Sequence, residues 1–110
     1  MSKQIINYPV NYYSCNVVIN GRWFVRLEIS QYYRTKLGRS TVNDEVIGEL
    51  VKQLNELKSI KFLRDNEYFS HQPLHIGYRA YNLVWDYDDS PFNATLLIID
   101  CYREKKYDKK

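Results

Sequence analysis

The residues best suited to chemistry lie in the C-terminal third of the chain. His71 and His75 stand just before a strand-like segment that carries Arg79, and Arg103 closes the next apolar segment. Cleavage of RNA without a metal needs a base for the ribose 2′-hydroxyl, an acid for the leaving 5′-oxygen and cations for the phosphorane charge. Histidine supplies the acid or base near neutral pH, and arginine clamps phosphate. Histidines and arginines without a role, in a loop and at solvated strand ends, are the alternative interpretation.

A second group of cations lies between positions 22 and 39, where Glu28 is the single acid. Counterion release makes such cations a means of guiding a nucleic-acid backbone. The lysines at positions 105, 106, 109 and 110 form either a solvated tail or a further nucleic-acid contact. We expect five of the cations between positions 22 and 39 to guide RNA: Arg22, Arg26, Arg34, Lys36 and Arg39.

The composition excludes several classes of protein. The chain has 110 residues, enough for one domain spanning 1–110, and a net charge of +3, far below that of a polybasic nucleic-acid protein. No apolar run is long enough for a membrane span, and the first residues lack the core of a signal peptide, which favours the cytoplasm. No metal-ligand spacing or phosphate loop occurs, so we expect neither a metal nor a cofactor. Cys15 and Cys101 lie in apolar strand patterns, which favours reduced thiols over a disulfide.

Tyrosine is the unusual component, with eleven residues. Its ring offers flat apolar area with a polar tip, which suits protein interfaces, base stacking and half-exposed sheet surfaces. The tyrosines therefore leave open a non-catalytic module that binds a protein partner through a Tyr-rich sheet, or one that binds nucleic acid by stacking.

A β-hairpin is predicted near the N-terminus. Two β-prone runs, 13–19 and 22–29, flank Asn20-Gly21, the dipeptide preferred in a type I′ turn. Regular alternation along the second run places one set of side chains in the core and the other towards solvent or a ligand. The core set is Trp23, Val25, Leu27 and Ile29, and the outward set is Arg22, Phe24, Arg26 and Glu28.

One main helix is predicted at about 44–58, because apolar residues recur there at helical spacing after an acidic first turn. A short helix at about 31–37 is capped by Ser30 and ended by Gly38. Residues 60–63 and 67–69 read as short extended segments, residues 70–77 as loop-like with room for a brief strand, and strands follow at 78–87 and 94–103. The fold class is therefore α+β, a twisted antiparallel sheet, made of the N-terminal hairpin and a C-terminal meander, packed against the main helix.

From the main helix onwards the chain resembles a known group of toxins. The helix is followed by Tyr78-Arg79, the run 81–85, an acidic turn, the apolar run 96–99, Arg103 and Tyr107. This succession, over about residues 44–107, is similar to the C-terminal half of RelE/ParE-like toxins, within the wider barnase/EndoU/colicin/RelE-like group of small ribonucleases. The resemblance implies metal-independent cleavage of cellular RNA, with Arg79 and Arg103 binding phosphate and Tyr107 or a nearby histidine transferring the proton.

The leading hypothesis is thus a toxin-type endoribonuclease that acts on RNA and has a cognate antitoxin or immunity protein as its partner. Its predicted catalytic residues are His71, His75, Arg79, Arg103 and Tyr107. The alternative is a non-catalytic interaction protein, such as an immunity protein, an inhibitor or a small phage protein. Nuclease inhibitors tend to be acidic, so the positive charge disfavours an immunity protein.

Overall fold

The computed structural model describes residues 8–19, 21–55, 63–65, 68–87 and 92–110. These ranges form an α+β fold with one main helix, as the sequence predicted, and the sheet has six strands. Short 3₁₀ helices occupy Gln31–Thr35 and Lys105–Tyr107. The main elements are β1 (Val10–Ile19), β2 (Arg22–Ser30), α1 (Asp44–Asn55), β3 (Leu63–Asp65), β4 (Tyr68–Ile76), β5 (Arg79–Tyr87) and β6 (Thr95–Arg103).

The six strands form one sheet in the order β1-β2-β6-β5-β4-β3. All neighbours are antiparallel except β2 and β6, which run parallel with Leu27 opposite Leu96 and Ile29 opposite Ile98. The expectation of a wholly antiparallel sheet was therefore wrong at one pairing. The reason is the crossover through α1, which returns the chain to the same sheet so that the last strand lies beside the first hairpin.

Helix α1 covers one face of this sheet. It begins at Asp44, and its buried side chains Ile47, Leu50, Val51 and Leu54 form the apolar stripe that the sequence predicted. The helix contacts both β1 and β4, although three strands separate these two in the sheet. The sheet must therefore curve around the helix, which lets a small domain enclose its core. The structure describes the helix as far as position 55, and the predicted positions 56–58 lie outside the described residues.

The predicted faces of β2 were wrong in its first half. Phe24 is fully buried, whereas Trp23 is 60% exposed. The N–H groups of Val25 and Arg26 both donate to the carbonyl oxygen of Ala94, at 2.9 and 3.1 Å, which is the signature of a β-bulge. The bulge reverses the alternation, so Phe24 and Leu27 face the core although three positions separate them.

Two other segments differ from their predictions. The predicted helix at 31–37 is a 3₁₀ helix that ends at Thr35, with Ser30 as its cap. Residues 70–77, predicted as loop-like, belong mostly to β4, which continues to Ile76. Pro73 favoured the loop because proline cannot donate to a strand ladder. In the structure the register of β4 shifts between His71 and Leu74, so the proline falls within an irregularity that tolerates it.

Aromatic rings fill the core where β4 and β5 meet. Trp85 is 1% exposed, and its ring stacks on Phe69 at 4.9 Å between centroids. Phe69 also stacks on Tyr87 at 5.4 Å, and Tyr87 meets the edge of Phe24 at the same distance. The aromatic group therefore joins β4 and β5 to β2 across the concave face.

The carboxylate of Asp44, the first residue of α1, is hydrogen-bonded to several residues of the N-terminal half of the fold. Asp44 accepts hydrogen bonds from the hydroxyls of Tyr13 and Tyr33, both at 2.6 Å, from the Asn11 amide at 2.7 Å and from Gln31. Burial raises the pKa of Asp44, but these donors outweigh burial and hold the pKa below its ordinary value of 3.8. Burial and the bond to Asp44 also raise the pKa of Tyr33 above 10.0. The cluster therefore requires an ionised carboxylate and neutral phenols.

We expect Asp44→Asn to lower the free energy of unfolding by about 2 to 3 kcal/mol at neutral pH, because an amide accepts fewer and weaker hydrogen bonds than a carboxylate. A carboxyl group whose pKa is lowered by folding stabilises the fold above its unfolded value and loses that contribution as the pH falls. The difference from the native chain should therefore shrink below pH 3.8. Urea denaturation at a series of pH values measures this.

The matched control is Glu45→Gln, which removes a carboxylate from an exposed position of the same helical turn. It should change the free energy of unfolding by no more than about 0.5 kcal/mol. Equal effects of the two substitutions at neutral pH would show that the cluster does not hold the fold.

Candidate functional site

The C-terminal segment folds back onto the hairpin formed by β4 and β5. The Ala80 carbonyl accepts from the N–H of Glu104, and the Tyr78 carbonyl accepts from that of Lys109. In between, the His75 Nε2 atom lies 3.0 Å from the carbonyl oxygen of Tyr107. A carbonyl oxygen only accepts, so Nε2 carries a proton and, in a neutral ring, Nδ1 holds the lone pair. If His75 acts as a base, the accepting atom is therefore Nδ1.

The two arginines predicted to bind phosphate lie at the same end of the sheet. Arg79 is half-buried and lies beside the Tyr78 hydroxyl, with 3.5 Å between Nε and the oxygen, and this contact lowers the pKa of Tyr78. Arg103 is mostly buried, forms an ion pair with Asp108, and lies 5.6 Å from the centroid of the Tyr81 ring. Arg79 is therefore available to a ligand, whereas Arg103 is already neutralised.

Strand alternation assigns these arginines and His75 to different faces of the sheet. Tyr81 is paired with Arg103, and Arg79 is two positions from Tyr81 on the same strand, so all three share the face that α1 covers. His75 pairs with Ala80, which belongs to the opposite face. The structure therefore brings His75, Arg79, Arg103 and Tyr107 to one end of the sheet, but on two sides of it.

His71 is described through its backbone, which pairs with Leu83 in the middle of the sheet. His75 pairs with Ala80, near the hairpin turn. Four strand positions correspond to roughly 13 Å between Cα atoms. The two histidines thus lie well apart along one strand.

The cations predicted to guide RNA are mostly engaged within the protein. Arg39 forms an ion pair with Asp100 at 3.0 Å and lies over the Tyr102 ring. Arg34 lies 3.6 Å from Asp44. Arg22 donates to the carbonyl of Asn93, and Lys36 lies over the Tyr32 ring.

Arg26 is exposed, and its Nε donates to the hydroxyl of Thr95 at 3.0 Å. The expected basic track is therefore divided into separate intramolecular contacts.

The outward face of the first hairpin carries the largest exposed apolar side chains of β1 and β2. Tyr12 is 74% exposed and Trp23 is 60% exposed. Val18, which pairs with Trp23 across the strands, is 45% exposed. We call Tyr12, Val18, Trp23 and Arg26 the hairpin face.

The indole of Trp23 is held in place by a hydrogen bond from Nε1 to Asn16 Oδ1, at 2.7 Å. Tyr12 pairs with Glu28, five residues beyond Trp23 on β2, so the hairpin face extends for roughly 17 Å. Tyr12 and Trp23 are thus both exposed, and the Trp23 ring is held in one orientation, as at preorganised binding surfaces.

Sequence reasoning missed the hairpin face because it placed Trp23 in the core. The two strands were predicted from their composition, but the bulge that reverses the alternation depends on Ala94, which lies about seventy positions away. Asn16 is a local indication that Trp23 faces outwards. It lies two positions before Val18, the strand partner of Trp23, so its amide can reach the indole across the hairpin.

Among the described residues, no helix is long and apolar enough to cross a membrane. Within the same ranges, no group of three or more His, Cys, Asp or Glu side chains is placed to hold a metal ion. Searches for similar proteins found no family model, no curated protein and no solved structure that matches the chain.

Proposed function

We propose that this protein is a non-catalytic interaction module that binds a protein partner through the hairpin face. The observation that carries the proposal is the exposure of Trp23, whose indole is fixed by Asn16 and flanked by Val18. Tryptophan, tyrosine and arginine dominate the energetics of protein interfaces, and the hairpin face contains one of each. Contiguous exposed apolar side chains mark interaction sites, and Trp23 and Val18 are adjacent across the two strands.

The charges around the hairpin face favour a protein over a nucleic acid. Arg26 lies two positions from Glu28 on the same face, so a negative charge stands close to it on the strand. Arg34 and Arg39 are paired with acids, and the net charge of the chain is only +3. A backbone with one charge per nucleotide needs several unpaired cations in a row, whereas a protein interface needs apolar anchors with a mixed rim.

A second candidate function is the toxin-type endoribonuclease, acting on RNA in the cytoplasm. It is favoured by the hydrogen bond from His75 Nε2 to the Tyr107 carbonyl, which leaves Nδ1 as the proton acceptor, and by the cation Arg79 at the same end of the sheet. In this proposal Nδ1 of His75 accepts the proton of the 2′-hydroxyl. Arg79 would have to bring its long side chain around the end of the sheet to meet the same phosphate.

For the interaction module, we expect Trp23→Ser to weaken binding of the partner at least tenfold, because truncation of an interface tryptophan costs about 2 kcal/mol or more. The free energy of unfolding should change by less than about 1 kcal/mol, since the side chain is exposed. A partner captured from the source cells would be purified, and its affinity for each variant measured by isothermal titration calorimetry.

The matched control is Leu37→Ser, which removes an equally apolar side chain that is 97% exposed outside the hairpin face. It should bind the partner as the native chain does. Equal affinity of the Trp23 and Leu37 variants would contradict the proposal, because any apolar surface would then serve.

For the endoribonuclease, we expect the purified protein to cleave total RNA or tRNA in the presence of EDTA. His75→Ala should lower the rate by a factor of about 10² to 10⁴, the usual contribution of general acid–base catalysis. Arg79→Ala should also lower it, whereas Lys52→Ala, which removes an exposed cation of α1, should not. RNA that stays intact after incubation with stoichiometric protein would eliminate this candidate and leave the interaction module unaffected.

A further inference from the structure

A cavity of about 620 Å³ lies between the β1–β2 hairpin and the first half of α1. It is on the opposite side of the hairpin from Trp23, because Val17 and Leu27 of its wall belong to the core-facing side chains. Sites for small molecules in proteins usually have volumes of about 300 to 1,000 Å³. The cavity therefore has the size of a ligand site, and neither proposed function uses it.

The wall of the cavity is mostly apolar. Both strands and the helix contribute to it, through Cys15, Val17, Leu27, Ile29, Gly48 and Val51. Burial raises the pKa of the Cys15 thiol, so this side chain is neutral at physiological pH. Apolar cavities of this kind accept apolar molecules, since water gains few hydrogen bonds within them.

Gly48 is the residue that keeps the cavity open on the helical side. A Cβ atom built at this position has no heavy atom within 4 Å, so space for a larger side chain exists. Glycine in the middle of a helix is unfavourable relative to almost every other residue. Gly48 therefore lowers the stability of the helix but leaves the volume of the cavity unfilled.

Of the three charged residues that line the cavity, Asp44 and Lys52 are engaged with other side chains, and Glu45 is exposed to solvent. Asp44 accepts from Tyr13, Tyr33, Asn11 and Gln31, and Lys52 forms an ion pair with Glu49 at 3.1 Å. A ligand that carries its charge into the apolar interior of the cavity loses its hydration without gaining a partner there, which is costly. An uncharged ligand does not meet this penalty.

We propose that this cavity is a binding site for a small uncharged apolar molecule, such as an aromatic hydrocarbon or a medium-chain alcohol. The molecule packs between Val17, Leu27 and Val51 and lies against Gly48. The cavity and the hairpin face lie on opposite sides of β1, and Asn16, which accepts from the Trp23 indole, borders both.

The test uses the neutral fluorophore N-phenyl-1-naphthylamine, whose emission rises in apolar surroundings. We expect saturable binding to the full chain and displacement by 1-decanol, with decanoate and decylamine at least tenfold weaker as competitors. Displacement that is strongest with either ion would overturn the assignment of an uncharged ligand.

The decisive variant is Gly48→Leu, which fills the cavity from the helix, and its control is Glu49→Leu on the exposed side of the same turn. Fluorophore binding should fall at least tenfold in Gly48→Leu and stay unchanged in Glu49→Leu. The melting temperature of Gly48→Leu should equal or exceed that of the native chain, because leucine favours the helix. Undiminished binding by a folded Gly48→Leu variant would overturn the proposal.

Cys15 provides a second measurement if Gly48→Leu proves unstable. Alkylation of Cys15 by N-ethylmaleimide should become at least tenfold slower when 1-decanol saturates the cavity, and Cys101, which is fully buried elsewhere in the core, serves as the internal reference. An unchanged rate at Cys15 would mean that the alcohol does not occupy the cavity.

Discussion

The N-terminal half of the fold depends on the carboxylate of Asp44. It stands at the first turn of α1, where the helix dipole favours negative charge, and it joins β1 through Tyr13 and the first 3₁₀ helix through Tyr33. Without it, the start of the helix, the edge strand and the crossover segment would have no common anchor. The cavity lies directly beside this anchor, so the distance between β1 and α1, and hence the cavity's volume, is set by hydrogen bonds as well as by packing.

The bulge in β2 is the second feature that determines which side chains are buried. By reversing the alternation between Phe24 and Leu27, it adds Phe24 to the aromatic core and turns Trp23 outwards. An aromatic residue that would otherwise have been a core residue thus becomes the centre of an exposed surface. Bulges recur where a side chain has to be redirected for function, and the hydrogen bond from Trp23 to Asn16 holds the redirected ring in one orientation.

The fold could be predicted from the sequence wherever the signal was local. The helical spacing of Ile47, Leu50, Val51 and Leu54 and the apolar runs of β5 and β6 needed no information from elsewhere in the chain. The parallel pairing of β2 with β6 and the full length of β4 could not be predicted, because both depend on which segments meet after the crossover. In the candidate site, too, only local features could be predicted. The positions of His75 and Tyr107 near one end of the sheet follow from strand order. The ion pair between Arg39 and Asp100 could not be predicted, because it joins residues 61 positions apart.

The ion pairs that form on folding bear on the choice between the two functions. In the sequence, the arginines between positions 22 and 39 resemble a basic track, because only one acid lies among them. In the folded chain, Asp44 and Asp100 lie next to Arg34 and Arg39, and Asp108 neutralises Arg103. A mostly buried pair such as Arg103 and Asp108 is costly to separate, since either charge would be left alone in a medium of low dielectric constant. A phosphate would have to compete with a carboxylate that the fold already holds in place, whereas a protein that packs on Trp23 would displace only water.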